Sequence, residues 1–555
     1  MKKISIYLVA FLLSMSVYAQ SLSDVQRQIE TGQVYTAKKN LLQMIGKNPN
    51  DAKLLLLMGE WYFMQSKLDS AAMFYDKAIA AAPEDAYCLV GSGKIAFQKG
   101  DTLKAKELFE KARKTKKKDI PVYAAIANAY TSGEKKNIPN ALAYLNMAKE
   151  INYKSSELNI AYGDAYLALG DYGKGANAYQ LAIQFDKNNM KPRYNIAKLY
   201  MAAKNYEESK KFATEIIQLD STYLIAHKLI GELSYNRAKY NDACWFYKKY
   251  IDRAEFNPED IRDYAFALYF NKNFPESQKY IKQIQAINPN DPVLLRLQGY
   301  IGYESQDFKS GLESMQKFFT FQPADKVLPS DYEYYGKLLI KNNIDSLGAQ
   351  NLQTAIEKDS SKANLWEDVA KSYSKSKKYI KAAYAYEQLI ATKDTGSASD
   401  YYGLGQAYQN ECDILMADSI RKVKDSTLVK TYLNKAIEAY GMVVKRKPDT
   451  YLGYYARAGV YARLDPETES GIAKPYYEET INVIEKTGTV DKNKKILITS
   501  YTYLGYYYYV KGTKLPKSDQ AGIKKAKEDG TVWLQKVIAL DPNNKQANDI
   551  LKLLK

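Results

Sequence analysis

A small residue that recurs about every 34 residues constrains the fold of this chain more than any other feature. Starting from Gly59, an aromatic residue, Ala, an aromatic residue, Ala and Pro follow at offsets of 3, 12, 16, 19 and 24. The same small position falls at Gly59, Gly93, Ala127, Gly163, Ala197, Gly231, Ala265, Gly299, Gly336, Ala370, Gly405, Ala458 and Gly505. A period kept over this length predicts a repeat array in which each unit packs against its neighbours.

The spacing of Gly59, Tyr62, Ala71, Tyr75 and Ala78 resembles the signature of the tetratricopeptide-repeat family. The resemblance covers nearly the whole chain after residue 20. It implies an all-α protein, a right-handed superhelical solenoid of about 14 helical hairpins that ends in a C-terminal capping helix.

Glycine at the small position has a physical reason. Two helices of one hairpin can approach closely only where a side chain is minimal, as at Gly59 with Ala71. We therefore predict close packing of the two helices at the eight glycines of the series, which are Gly59, Gly93, Gly163, Gly231, Gly299, Gly336, Gly405 and Gly505.

Departures from the period divide the chain into four segments: a signal peptide at 1–19, regular repeats at 20–397, elaborated repeats at 398–545 and a capping helix at 546–555. Extra residues near Glu411–Lys430 predict longer helices there, and further insertions lie at 465–471 and 487–495. These insertions either form a binding face or only thicken the hairpins. In the last helix, Ile550, Leu551 and Leu553 are expected to cover the final hairpin.

The first residues indicate export. Lys2 and Lys3 precede an apolar run from Ile4 to Leu13, and Val17, Tyr18 and Ala19 follow. This order predicts a bacterial secretory signal peptide that is cleaved after Ala19, leaving a soluble periplasmic protein. An uncleaved anchor is the alternative, although the apolar run is shorter than the roughly 20 residues that span a bilayer.

Charge and cysteine content narrow the partners. The net charge of +17 favours acidic partners or anionic envelope surfaces. Most basic residues are lysines, which lack the planar fork that reads nucleic-acid bases, so a nucleic-acid partner is not expected. Cys88, Cys244 and Cys412 are an odd number and cannot all pair with one another, and their redox state stays open.

Catalytic and metal-binding residues are scarce. His227 is the only histidine, and it occupies the position that Leu55, Tyr123 and Trp366 fill in other repeats, which favours a structural role. No Cys or His residues have metal-ligand spacing. We therefore expect neither an enzyme nor a metal or other cofactor.

The resemblance implies that the first helix of each hairpin lines a concave groove, through residues three before, one after and four after the small position. In three middle repeats these offsets give the series Lys228, Arg262 and Arg296; Glu232, Phe266 and Tyr300; and Tyr235, Tyr269 and Tyr303. Cations beside rings suit a peptide with acidic or aromatic side chains. The alternative is that the three tyrosines of the last series only pack, because Ser234, Leu268 and Gly302 fill the usual ring position.

The carboxylate-clamping members of the family use Lys and Asn at set positions in three neighbouring repeats. Asn128 matches one such position, but Lys94 and Ala161 do not complete the set. That specificity is therefore not carried over to this chain.

Together these observations predict a non-catalytic scaffold of the bacterial cell envelope that binds partner proteins or peptide segments in its groove. The chain is not expected to span a membrane, and any membrane association would arise through its partners. The alternative is a glycan-binding or peptidoglycan-associated envelope protein.

Overall fold

The computed structural model describes residues 22–393, 395–417 and 426–555. Within these ranges it contains 29 α-helices and no strand, so the all-α expectation is confirmed. The segment predicted to be a signal peptide lies outside the described residues, as do residues 418–425 of the predicted Glu411–Lys430 insertion.

The chain forms two compact units, one ending at Pro289 and one spanning Asn290–Lys555. Sixteen helices of the first unit are described. In chain order, α1 to α16 are Leu22–Glu30, Val34–Lys47, Ala52–Met64, Leu68–Ala81, Ala86–Lys99, Thr102–Thr115, Ile120–Thr131, Ile138–Ile151, Ser156–Leu169, Tyr172–Phe185, Met190–Ala202, Tyr206–Leu219, Leu224–Asn236, Tyr240–Ile251, Pro258–Phe270 and Phe274–Gln285.

The second unit continues the same alternation of first and second helices. Its described helices α17 to α29 are Pro292–Glu304, Phe308–Phe321, Pro329–Lys341, Asp345–Lys358, Trp366–Lys375, Tyr379–Thr392, Ala398–Ala417, Ser426–Arg446, Tyr451–Leu464, Lys474–Lys486, Lys494–Lys514, Gln520–Leu540 and Lys545–Leu554. Short 3₁₀ turns lie at Ala324–Lys326, Ser360–Leu365 and Asp491–Asn493.

Within each unit, helices that follow one another in the chain pack together, and each hairpin closes where the recurring small residue meets the second helix. A Cβ added at any of the eight glycines of the series would lie 3.1 Å or less from a side chain of that helix. At Gly59 that side chain is Tyr75, which is fully buried, and at Gly93 it is Phe109. Glycine is therefore needed because a large side chain of the second helix fills the space, and in six of the eight pairs that side chain lies 16 residues later.

Short polar side chains begin many of the helices. Asp85 accepts hydrogen bonds from the backbone of Tyr87 and Cys88 at the start of α5, and Asp101 accepts one from Lys104 at the start of α6. Such caps satisfy backbone N–H groups that have no partner inside the helix. Left-handed residues end several first helices, for example Gly100 with φ 96° and Lys272 with φ 60°. These turns reverse the chain within a few residues.

The later repeats have longer helices, and the sequence predicts this for α23 and α24, which flank the extra residues near Glu411–Lys430. α23 and α24 span 20 and 21 residues, and α27 and α28 span 21 each, whereas the paired helices α3 and α4 span 13 and 14. None of the helices in the described ranges is long and apolar enough to cross a membrane.

The prediction for the last helix was wrong at one residue. Leu553 is 59% exposed, and Leu554 is buried instead, together with Ala547 and Ile550. Residues 547, 550 and 554 are separated by three and four positions, which places them on one face of a helix, whereas 553 lies to the side of that face. The hydrophobic stripe is therefore shifted by one residue.

Candidate functional site

A cavity of 1080 Å³, here called the first-unit groove, runs along successive first helices of the first unit. Its wall is formed mainly by α3, α5, α7 and α9, each of which contacts the next in this series. Leu22, Gln26 and Glu30 of α1 also line it. The groove thus crosses four repeats.

The apolar part of the groove wall comes from the position three residues before each small residue. Leu56, Val90, Ala124 and Ile160 occupy this position in the four repeats, and all four line the cavity. Small residues beside them, such as Ala125, leave room at the centre. Apolar contacts are therefore offered at each repeat, together with space for a ligand backbone.

Polar residues form a second row, one position after each small residue: Glu60, Lys94, Asn128 and Asp164. The ammonium of Lys94 lies 2.9 Å from Oε2 of Glu60 and 3.4 Å from Oδ1 of Asn128. It also lies 4.0 Å from the ring centroid of Phe63. Because only 4% of the Lys94 side chain is exposed, this contact ties three neighbouring repeats together.

Asp164 ends this polar row with an acceptor. The hydroxyl of Tyr179 donates to its Oδ1 at 2.6 Å, and Nδ2 of Asn195 donates to the same oxygen at 3.2 Å. Burial raises the pKa of Asp164, although both hydrogen bonds and the nearby lysines oppose that shift. Its Oδ2 accepts no hydrogen bond from the described residues, so it can accept one from a ligand N–H in the groove.

The first unit closes on itself through contacts between residues about 200 positions apart, here called the clasp. Nη2 of Arg27 donates to Asp220 at 2.6 Å and to Thr222 at 2.8 Å. The backbone N–H of Tyr35 donates to the carboxylate of Glu255 at 2.9 Å, and Thr36 donates to its other oxygen. The N-terminal helices α1 and α2 are thereby held against the segment between α12 and α13 and the segment between α14 and α15.

The charge of Asp220 depends on the clasp. Burial opposes ionisation of this carboxyl group, but hydrogen bonds from Thr222 and the guanidinium of Arg27 hold its pKa below the ordinary value. The clasp is therefore partly electrostatic.

A 34-residue period, two packed helices in each period and a small residue where they meet define the repeats of this chain. Their fold is that of tetratricopeptide repeats. No family model matches the chain. A segment of 239 residues is 21% identical to tetratricopeptide repeat protein 21A of Mus musculus and covers 38% of this chain and 18% of the mouse protein.

Two solved structures are similar to this chain over part of its length. The C-terminal part of a tetratricopeptide repeat-containing protein from Cytophaga hutchinsonii is 28% identical, with 52% of this chain and 99% of that chain covered and a TM-score of 0.34. YrrB, a tetratricopeptide protein with an unusual peptide-binding site, is 22% identical, with 34% and 97% covered and a TM-score of 0.21.

The middle repeats hold the residues that the sequence singled out for binding. In the first unit, Nζ of Lys228 lies 2.6 Å from Asp260 and 3.8 Å from Glu232. The hydroxyl of Tyr250 donates to the other oxygen of Asp260, which is buried. Arg262 is half-buried beside Asp263. The positive charge of Lys228 is thus compensated inside the chain.

The corresponding arginine of the second unit is also engaged. Arg296 donates from Nε and Nη2 to the two oxygens of Asp331 at 2.7 and 2.9 Å, and the Tyr300 hydroxyl donates to the same carboxylate at 2.7 Å. Asp331 is fully buried. Arg296 therefore serves as a structural partner of Asp331 in this structure.

The predicted tyrosines of these repeats make ring contacts. Tyr235 packs against Tyr240 and Phe270, and Tyr269 contacts Phe270 as well. In the second unit the ring of Tyr303 contacts Phe308 and Tyr334. Phe266 is half-buried. These contacts match the packing alternative, and a role of the same residues in binding stays a prediction.

Burial shifts the pKa values of His227 and of the three cysteines. His227 is buried, its ring lies against Phe246, and burial lowers its pKa, with Arg253 contributing. Burial raises the pKa of Cys88 and of Cys412 to about 12 and that of Cys244 to about 11. Among the described residues, no group of three or more His, Cys, Asp or Glu side chains is placed to hold a metal ion.

The polar row and the clasp were not singled out from the sequence. The row follows from the implied groove offsets when they are applied to Gly59, Gly93, Ala127 and Gly163 instead of the middle repeats. For the clasp the sequence carries no signal, because Arg27 and Asp220 are 193 residues apart.

Proposed function

We propose that this protein is a non-catalytic interaction scaffold whose first-unit groove binds an extended polypeptide segment of a partner protein. One observation carries the proposal: the 1080 Å³ groove pairs an apolar row with a polar row, both repeating once per tetratricopeptide unit. A ligand that contacts one apolar and one polar residue in each successive repeat must itself present similar groups at regular intervals, as an extended polymer does.

The chemistry of the two rows fits a polypeptide. An extended chain presents backbone N–H and C=O groups at regular intervals and alternates its side chains between two sides. Asp164 can accept from backbone N–H groups, and the exposed amide of Asn128, whose oxygen accepts from Lys94 and Ser132, can donate from its NH₂ group. Leu56, Val90 and Ile160 contribute apolar surface for the side chains between these contacts.

The proposal includes the compartment. The pattern of Lys2, Lys3, the apolar run after them and Ala19 supports export to the bacterial periplasm, where the partners would be envelope proteins. N-terminal sequencing of the protein purified from fractionated cells tests this directly. A periplasmic protein beginning at Gln20 is expected, and a cytoplasmic protein that retains Met1 would contradict it.

Peptide selection tests binding in the groove. A display library of random peptides of about 12 residues, which extend over roughly 40 Å, is selected on the purified protein. Selected peptides are then titrated against Ala125→Arg, in which a long side chain fills the groove, and against Ala80→Arg, an exposed position on α4 that does not line it.

We expect Ala125→Arg to weaken binding by at least about tenfold and Ala80→Arg to leave it unchanged. Equal affinity for both variants, with both folded, would exclude the first-unit groove as the binding site. Hydrolysis of glycans or peptidoglycan by the purified protein would contradict the absence of catalysis.

A further inference from the structure

The elaborated repeats of the second unit contain a separate pocket of 750 Å³, which the binding of a polypeptide by the first-unit groove does not use. Its walls come from the long helix α23, from α24, α25 and α26, and from the start of α27. The volume is within the range of roughly 300–1,000 Å³ that is usual for small-ligand sites. We call it the second-unit pocket.

Four tyrosines form its aromatic walls. The rings of Tyr402 and Tyr440 have centroids 5.6 Å apart, and those of Tyr455 and Tyr477 are 6.3 Å apart with an edge-to-face arrangement. Tyr440 and Tyr477 are buried, whereas Tyr402 and Tyr455 are half-buried and line the cavity. The inner rings thus hold the outer rings in place, and the outer rings offer their surface to a ligand.

Side-chain amides stand beside these rings. Gln406, Gln409 and Asn410 lie on about one turn of α23, and all three line the pocket. The Tyr440 hydroxyl donates to Oε1 of Gln409 at 2.9 Å, which orients that amide and leaves its NH₂ group to donate. The side chains of Gln406 and Asn410 make no hydrogen bond with the described residues. Each can therefore donate to and accept from a ligand.

Among the described residues, the lining of the pocket presents no uncompensated charge. Arg463 is the only charged residue among the described residues that line it. Its Nε and Nη2 donate to the two carboxylate oxygens of Asp413 at 2.8 and 3.1 Å, and Nη1 donates to the carbonyl of Gly459 at 2.9 Å. A charged ligand would therefore find no free opposite charge among these residues, whereas a neutral ligand could bind without breaking the ion pair of Arg463 and Asp413.

The geometry points to a neutral oligosaccharide as the ligand of the second-unit pocket. Sugar rings present a face of C–H groups that stacks on tyrosine, and their hydroxyl groups donate and accept, as the amides of Gln406 and Asn410 do. The three amides cluster on one helix instead of recurring at the spacing of the repeats. This arrangement suits a compact ligand, whereas an extended peptide would meet matching contacts in successive repeats.

The experiment titrates the purified chain by calorimetry with maltotriose, cellotriose and triacetylchitotriose, and with an uncharged acetylated peptide of alanine, asparagine and serine. Tyr455→Ala removes one aromatic face, and Gln406→Ala removes one amide. Tyr454→Ala is the matched control, because Tyr454 lies on the same helix but does not line the pocket. Thermal denaturation verifies that each variant is folded.

At least one of the three sugars is expected to bind, and both pocket variants should weaken it by about tenfold or more while Tyr454→Ala leaves it unchanged. The inference would be overturned if no sugar bound at concentrations up to about 10 mM, which corresponds to a negligible affinity. It would also be overturned if both pocket variants left sugar binding unchanged. Binding of the neutral peptide without binding of the sugars would contradict it as well. Ala125→Arg alters the first-unit groove and not the second-unit pocket. Its effect on peptide binding therefore tests the proposed function separately from the sugar inference.

Discussion

The first and second units place polar side chains on the same kind of helix in two different ways. In the first unit, Glu60, Lys94 and Asn128 each come from a different repeat, and the contact of Lys94 with both neighbours spans repeat boundaries. In the second unit, Gln406 and Asn410 come from one lengthened helix.

If both proposals hold, this difference lets one repeat array bind two kinds of ligand. A strict period copies one contact at regular intervals along the array, which suits a chain-like ligand. An insertion breaks that regularity and collects several groups at one place, which suits a compact ligand. The following predictions test whether the two units differ in the way their polar residues are held.

The largest effect is expected from Arg296→Ala in the second unit. It leaves the fully buried carboxylate of Asp331 without its cation, although Tyr300 still donates to it. Removing one partner of a buried ion pair typically costs about 3–5 kcal/mol in the free energy of unfolding. Urea denaturation, followed by hydrogen exchange to assign the loss to the second unit, measures it.

Arg237→Ala serves as the control, because Arg237 pairs with a Glu207 side chain that is 73% exposed. Exposed pairs contribute about 0–1 kcal/mol. If the two arginine variants lose the same free energy, Asp331 does not depend on its cation.

A smaller loss is expected from Lys94→Met in the first unit. The substitution keeps most of the apolar stem but removes the charge-assisted hydrogen bond to Glu60, and hydrogen bonds to charged groups contribute about 1.5–3 kcal/mol. Since 36% of the Glu60 side chain is exposed, water can replace the lost partner, and the loss should fall at the lower end. The same denaturation experiment measures it.

The double variant Lys94→Met with Glu60→Gln provides the check on Lys94. If the two residues interact, the double variant loses less than the sum of the two single changes. Strictly additive losses would show that Lys94 does not couple the repeats.

The clasp should respond to Glu255→Ala. The carboxylate of Glu255 accepts from the backbone of Tyr35 and Thr36, so its removal should speed hydrogen exchange in the segment that contains them. Each lost hydrogen bond is expected to contribute about 1 kcal/mol. Exchange followed by mass spectrometry measures the change, with Glu84→Ala as the exposed control.

Unchanged exchange around residues 35 and 36 in the Glu255 variant would mean that the first unit is open in solution. Raising the salt concentration should act in the same direction as Glu255→Ala, because screening weakens the partly exposed pair of Arg27 and Asp220.

The smallest effects concern pH, and they have opposite signs in the two units. Burial raises the pKa of Asp164, so the folded first unit takes up a proton more readily than the unfolded chain. This destabilising contribution is absent below the ordinary Asp pKa of about 4 and develops as the pH rises through the raised folded pKa.

In the second unit burial opposes ionisation of Glu333, but hydrogen bonds from Lys337 and Lys362 hold its pKa below the ordinary value. Its stabilising contribution is complete above the ordinary Glu pKa of about 4.3 and is lost as the pH falls through the lowered folded pKa. Unfolding measured from neutral to acidic pH should therefore change slope in opposite directions for Asp164→Asn and Glu333→Gln. Slopes that change in the same direction would contradict the assigned shifts.

Much of the fold could be predicted because single residues, such as the recurring glycine and the aromatic residue that packs on it, mark each repeat in the sequence. Gly59 and Tyr75 are 16 residues apart in the sequence, and the structure places the ring against the glycine. The long helices α23 and α24 followed from the extra residues between Gly405 and Ala458. Local spacing is sufficient in both cases, since the contacts lie within one hairpin or between neighbours.

The sites were harder to predict because they depend on contacts that spacing does not encode. The repeat offsets predict Arg296 to be a groove cation, but its partner Asp331 is 35 residues away in the next repeat, where the period is already disturbed. Tyr402 and Tyr455 lie on either side of an insertion, so no constant offset joins them. In the last helix, a rotation by one residue decides whether Leu553 or Leu554 is buried, and the sequence pattern does not fix that rotation.

Site-specific photo-crosslinking tests the central claim most directly. A benzoyl-phenylalanine is introduced in cells at position 125 in the first-unit groove, or at the exposed position 80 on α4, and the crosslinked products are identified by mass spectrometry. The proposed function predicts that position 125 yields a polypeptide adduct, mapped to one segment of a partner, which position 80 does not yield. Identical adducts at both positions, or no adduct at position 125, would contradict the binding of a polypeptide in the first-unit groove.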